Sequence, residues 1–110
     1  MTTQAEVEEY VAHAGTLRVG GGTSPLAAAR HLIERYLARQ TMIDIVVIGA
    51  NANQQAAKLM CAARMQLKEL LAPQEIEVGF VPMRFLTKTV GPTGVIKKDC
   101  VVYRLIIIDR

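Results

Sequence analysis

Residues 45–64, IVVIGANANQQAAKLMCAAR, constrain the fold more than any other stretch. An apolar strand pattern, Ile45–Ile48, runs into Gly49. A short polar loop, Ala50–Asn53, follows, and then a long alanine-rich helical pattern. The helix N-terminus therefore sits at the strand's carboxyl end. Residues 17–30, LRVGGGTSPLAAAR, repeat the arrangement upstream. Two strands joined by a helix form a βαβ unit, which predicts parallel strands and a right-handed crossover.

The remaining elements follow from local signals. Thr16–Gly20 reads as a short strand, with Leu17 and Val19 on one face. Ser24 suits an N-cap and Pro25 the first helical position, where its missing N–H costs nothing. Helix one then runs from Pro25 to about Arg39, with Leu26, Ala29, Ile33, Tyr36 and Leu37 as its stripe and Leu32 at its edge. Ile43–Ile48 is apolar on both faces except at Asp44, the pattern of a mid-sheet strand. Helix two starts near Asn51 or Asn53, either suited to cap it, and reaches about Leu71 before Pro73. Its stripe is Ala56, Leu59, Met60, Ala63, Leu67, Leu70 and Leu71. Glu75–Lys88 alternates loosely as a long strand whose Pro82 marks either an edge strand or a kink there. Gly91-Pro92-Thr93-Gly94 is a turn. Lys97–Asp109 closes the chain as a strand, apolar on both faces from Val101 to Ile108.

Residues 1–15 form an N-terminal extension, either a short helix on Val7, Tyr10 and Val11 or a tail; residues 16–110 form one domain. The order β-α-β-α-β-β predicts an α/β (α+β two-layer sandwich) fold with a four-stranded mixed sheet and two helices on one face. The second face of so apolar a sheet needs a cover, most simply another copy of the chain. A homodimer or higher homo-oligomer is expected.

Composition narrows the function. A chain of 110 residues buries a core without disulfides or metal. Cys61 and Cys100 lie in apolar patterns, far apart, and read as reduced core residues. No run of about 18 apolar residues predicts a membrane span, and the acidic start MTTQAEVEEY is unlike a secretory signal; a cytoplasmic protein is expected. The net charge of +3 is uneven. Glu6, Glu8 and Glu9 stand in the first 15 residues with no Lys or Arg, leaving 13 basic against 7 acidic residues beyond. A basic body suits either a polyanion partner or ordinary solubility.

The candidate sites each have a plainer alternative. GGGTSP is either a phosphate cradle at a helix N-terminus or a tight, well-capped turn. It lacks the lysine of a P-loop and the spacing of a dinucleotide fingerprint. GANAN invites the same two readings. His13 and His31 read as solvated, and Asp44 as a lone strand-edge acid. No catalytic constellation or metal-ligand spacing is evident, so a non-enzyme without cofactor is expected. Arg84 and Lys88 on one arm of the hairpin, Lys97 and Lys98 after the turn, and Arg104 further along form a basic element. It suits either phosphate contacts or an edge protected from aggregation.

LRVGGGTSPLAAARHL, IDIVVIGANANQQAAKLMCAAR, Ala72-Pro73, IEVGFVPM and RLIIIDR together resemble the stage V sporulation protein S family over roughly residues 16–110. The most specific parts are Ser24-Pro25 and the G-A-x-A-x-x-Q-A-x-K pattern from Gly49 to Lys58. That family is similar in fold to the Alba chromatin proteins, which share this element order and bind DNA or RNA as dimers. The resemblance implies nucleic-acid contacts from Gly21, Gly22, Thr23 and Ser24 in the first loop. It implies further contacts from Asn51 and Asn53 at the start of helix two, and from Arg84, Lys88, Lys97 and Lys98 on the arms. The acidic extension lies outside the family pattern, and the first loop lacks the paired lysines of Alba proteins. The sporulation proteins are developmental regulators, so a scaffold acting through protein contacts is the alternative.

Overall fold

A computed structural model describes residues 7–109. The elements are β1 (Thr16–Val19), α1 (Pro25–Leu37), β2 (Asp44–Val47), α2 (Ala50–Leu71), β3 (Ile76–Gly91) and β4 (Gly94–Asp109). The described residues form a mixed α/β structure with two helices and one sheet, in the strand order β1-β2-β4-β3. β1 pairs parallel to β2, and β4 runs antiparallel to both β2 and β3. The last strand thus inserts between β2 and β3. Among the described residues, one parallel bridge joins Glu9 to Leu86 at the outer edge of β3, an extended fifth segment that the four-strand expectation leaves out.

The helices cover one face. Leu32, Ala29, Leu59, Ala56, Ala63 and Leu67 pack on Leu17, Val19, Ile45, Val47, Ile76 and Val78. The helix-one stripe differs from the sequence reading: Ala28, Ala29 and Leu32 are buried, whereas Leu26 and Leu37 are exposed. Leu32, at the edge of the sequence stripe, is the centre, because the small Ala28 and Ala29 let the helix approach closely. On α2, Leu70 likewise lies exposed and Ala52 joins the buried row. Cys61, expected in the core, is exposed on α2; Cys100 is buried.

α1 ends in a Schellman arrangement. Arg39 takes φ +61°, its N–H donates to Tyr36 O (3.0 Å), and Gln40 N–H donates to Arg35 O (3.2 Å). α2 stops at Leu71 as the chain turns extended at Ala72 before Pro73.

The second face carries a smaller core of Val46, Cys100 and Val102, against which Tyr10, Met83 and Phe85 pack. Residues 7–15 are neither helix nor tail. They start beside β3, where Tyr10 N–H donates to Leu86 O and Leu86 N–H to Glu8 O, each at 2.8 Å. They cross this face to reach β1 at the other edge. Gly15 is needed at the end of the crossing, since a Cβ there would collide with the Met42 carbonyl oxygen.

One polar cluster fastens the crossing. Asp44 is fully buried, directly opposite Arg104 on β4. Arg104 grips it with two hydrogen bonds, Nε to Oδ1 at 2.8 Å and Nη2 to Oδ2 at 3.0 Å. Tyr10 Oη donates to Oδ2 at 2.9 Å, and His13 Nε2 lies 2.9 Å from the same oxygen. Gly15 N–H donates to His13 Nδ1 (3.1 Å), which leaves Nε2 to carry the proton that reaches Asp44. Thr16 Oγ1 accepts from His13 N–H and lies 2.7 Å from Tyr10 Oη. The readings of Asp44 as a lone strand-edge acid, His13 as solvated and Arg104 as part of a basic arm are therefore corrected. A buried carboxylate needs several donors, and these three side chains meet that need.

Burial raises the affinity of Asp44 for a proton, but the hydrogen bonds from Arg104, His13 and Tyr10 outweigh it and hold its pKa below the usual 3.8. Burial, with Asp44 beside it, pushes the Tyr10 hydroxyl from 10.0 up to about 12. The stability that Asp44 contributes is complete above its usual 3.8 and is lost as pH falls through the depressed value. That of Tyr10 is complete below pH 10.0 and lost as pH rises towards about 12. Urea denaturation across pH tests this: Tyr10→Phe should flatten the alkaline decline relative to the native chain. At neutral pH, Asp44→Asn should cost about 3 kcal/mol, because it leaves the Arg104 guanidinium without its charge partner.

Candidate functional site

The two strand-to-helix junctions are built differently. In the first, Thr23 Oγ1 accepts from Gly20 N–H (2.9 Å) and Thr23 N–H donates to Gly20 O (3.2 Å), closing a tight loop. Ser24 has extended dihedrals, and its Oγ accepts from Ala27 N–H (3.4 Å), so it caps α1 as expected. Gly21 and Gly22 are exposed, and their N–H groups meet no acceptor among the described residues.

In the second, Gly49 is the N-cap, at φ +91° and ψ 160°. That region of backbone space is essentially reserved for glycine. The expectation that Asn51 or Asn53 caps α2 is corrected. A capping side chain comes from the residue before the first turn, and here that residue has none. Asn51 and Asn53 are exposed in the first turns, and no side chain caps the helix. Its leading N–H groups keep their partial positive charge open.

Topology brings these pieces together. Because β1 and β2 are parallel, both junctions open at one end of the sheet. Gln55 Nε2 donates to Gly21 O at 3.2 Å and ties one junction to the other. β4 is antiparallel, so beyond the Val47–Val101 pair the β3–β4 hairpin continues past this same end. From Val101 to Gly94 the arm reaches about 24 Å at about 3.4 Å per residue. A cleft of about 340 Å³ lies between its base and α2, lined by Gly49, Ala50, Asn53, Arg84, Asp99 and Val101.

The arm carries the predicted cations, all exposed. By strand alternation, Arg84, Lys88 and Lys97 share the face on which the helices lie, while Lys98 lies on the other. Arg84 Nη2 pairs with Asp99 Oδ1 at 2.9 Å, and Lys88 Nζ lies 3.3 Å from Glu9 Oε2. Lys97 and Lys98 have no ion-pair partner among the described residues. Lys88 stands directly opposite Lys97. Leu86 turns its backbone groups outward to Glu8 and Tyr10, so the Lys88–Lys97 pair, two residues on, is of the non-hydrogen-bonded type, with side chains close together. Like charges so placed repel. The tip carries Val90 and Val95, 86% and 64% exposed.

Sequence reasoning missed two residues. Gln55 was only part of a motif, and its tie to Gly21 needs the parallel register. Arg18 is an exposed cation on β1. By strand alternation Arg18, between the core residues Leu17 and Val19, points to the same face of the sheet as Cys100; burial pushes the Cys100 thiol up in pKa, and the Arg18 charge partly offsets this. Among the described residues, no three His, Cys, Asp or Glu side chains gather closely enough to hold a metal ion. No described helix is long and apolar enough to cross a membrane. The site as built offers N–H donors, amides and cations to an anion.

No family model matches the chain, and no curated protein matches it in sequence.

The role of Gly49 is testable by substitution. A Cβ at Gly49 would meet nothing within 4 Å, so the cost of Gly49→Ala is conformational alone. It should destabilise by about 1–3 kcal/mol. Gly22→Ala, with equally open space and no positive φ, should stay within about 0.5 kcal/mol. Thermal or urea unfolding of the two variants measures the difference.

Proposed function

We propose that this chain is a cytoplasmic, non-enzymatic nucleic-acid-binding regulator with an Alba-like fold, of the stage V sporulation protein S type. It contacts the phosphate backbone as a homodimer with little base specificity. The observation that carries the reading is the convergence, at one end of the sheet, of two helix N-termini and a projecting arm bearing Lys97 and Lys98 without acidic partners among the described residues. Cations and free N–H groups spread over such a surface suit a polymer of phosphates better than one small anion. The element order and the β1-β2-β4-β3 strand order support the Alba-like assignment. The open part of the second sheet face, with Val81, Ile106 and Ile108 exposed, supports self-association.

The same apolar patch favours the second reading, a scaffold that acts through protein contacts. The two readings part on the arm. Fluorescence anisotropy with duplex DNA and with RNA should show affinity falling steeply from about 50 to about 200 mM salt. Lys97→Glu with Lys98→Glu should lower the slope of log K on log salt by about 2 per protomer. Absence of binding to either polymer at about 50 mM salt refutes the proposal. Intact biological activity after the charge reversal selects the scaffold. Sedimentation should give a dimer that Ile106→Lys dissociates.

A further inference from the structure

The acidic segment before β1 lies against the basic arm. Glu8 and Tyr10 hold the backbone of Leu86 by two hydrogen bonds of 2.8 Å. Leu86 is opposite Asp99, at the root of the projecting arm. The Glu9 side chain between them reaches Lys88 Nζ at 3.3 Å. Lys88 is the lysine that faces Lys97 across the arm, so Glu9 sits where an anion relieves the repulsion of that pair. The ring of Tyr10 packs edge-on against Phe85, with centroids 5.4 Å apart.

We infer that residues 7–10 are an autoinhibitory strap: the Glu9 carboxylate occupies the place of a phosphate at Lys88, and a nucleic acid binds the arm fully only by displacing it. The inference rests on the function proposed above. The parts of the strap differ in strength. Tyr10 and His13 are fastened at the buried Asp44. The Glu9–Lys88 pair is about half exposed on both sides, and exposed pairs of this kind hold weakly. Among the described residues the bridge at Leu86 has no second rung. The Glu9 end therefore lifts while the Tyr10 anchor stays. A chain that presents many phosphates outcompetes one carboxylate, whereas a mononucleotide does not. The strap thus sets a threshold in favour of polyanions, and it masks the outer edge of β3 when none is bound.

Glu9→Gln removes the charge and leaves the anchor intact. Anisotropy with a duplex DNA at fixed salt should show it binding about fivefold tighter than the native chain, at the lower end of coupling between sites. The salt slope should rise by about 1 as Lys88 becomes available. Lys88→Gln should then weaken binding in the Glu9→Gln background and much less in the native one. Hydrogen exchange on the native chain gives a reading free of substitutions: adding the duplex should speed exchange at the Leu86 amide, whose acceptor is Glu8 O. If native and Glu9→Gln chains bind equally and the Leu86 amide stays protected, the strap is overturned while the nucleic-acid function stands. If neither chain binds at about 50 mM salt, the functional reading fails, and the strap with it.

Discussion

The fold turns on a carboxylate that water cannot reach. Asp44 lies in the middle of the sheet, and a charge so placed is tolerated only when donors surround it. Arg104 supplies two of them from the neighbouring strand, and Tyr10 and His13 supply the rest from a segment that precedes the first strand. The cluster fixes the β2–β4 register at Asp44–Arg104. It also pulls residues 10–16 across the face that the helices leave open. Without it, the smaller core of Val46, Cys100 and Val102 loses the Tyr10 ring that packs on it.

The register set at Asp44 determines where the arm emerges. With Val47 opposite Val101, the hairpin passes the carboxyl ends of both parallel strands, and its basic residues arrive beside the two helix N-termini. The Tyr10 anchor brings Glu9 to Lys88, so one buried cluster positions both the arm and the acidic segment beside it. The site is assembled by strand order rather than by a local motif. Its parts come from loops and strands as far apart in sequence as Gly21 and Lys98.

Much of this was legible beforehand. Ser24-Pro25 and Gly49 punctuate strongly because their backbone chemistry is local. Thus α1 starts at Pro25, and the two strand-to-helix junctions lie where the apolar runs break. Pro82 allows an edge strand or a kink, and β3 is at the end of the strand order. Helix faces were less legible. Leu26 and Leu37 fit the spacing yet are exposed, because the choice of buried stripe depends on what the helix meets. The cap of α2 is hidden from the sequence for a related reason: asparagine is a good cap by type, but the positive-φ backbone at Gly49 places the helix start one residue before Asn51.

By itself the sequence determined the element types, their order and the parallel βαβ start, since these follow from apolar periodicity and from the backbone preferences of Gly, Pro and Ser. It also placed the cations on a hairpin. Tertiary structure alone decided which of those cations are free. Arg104 is drawn into the sheet by Asp44, Arg84 is tied to Asp99 and Lys88 to Glu9, while Lys97 and Lys98 remain unpaired among the described residues. The physical reason is that charge pairing acts through space over a few ångströms, and which charges come that close is set by strand order and register.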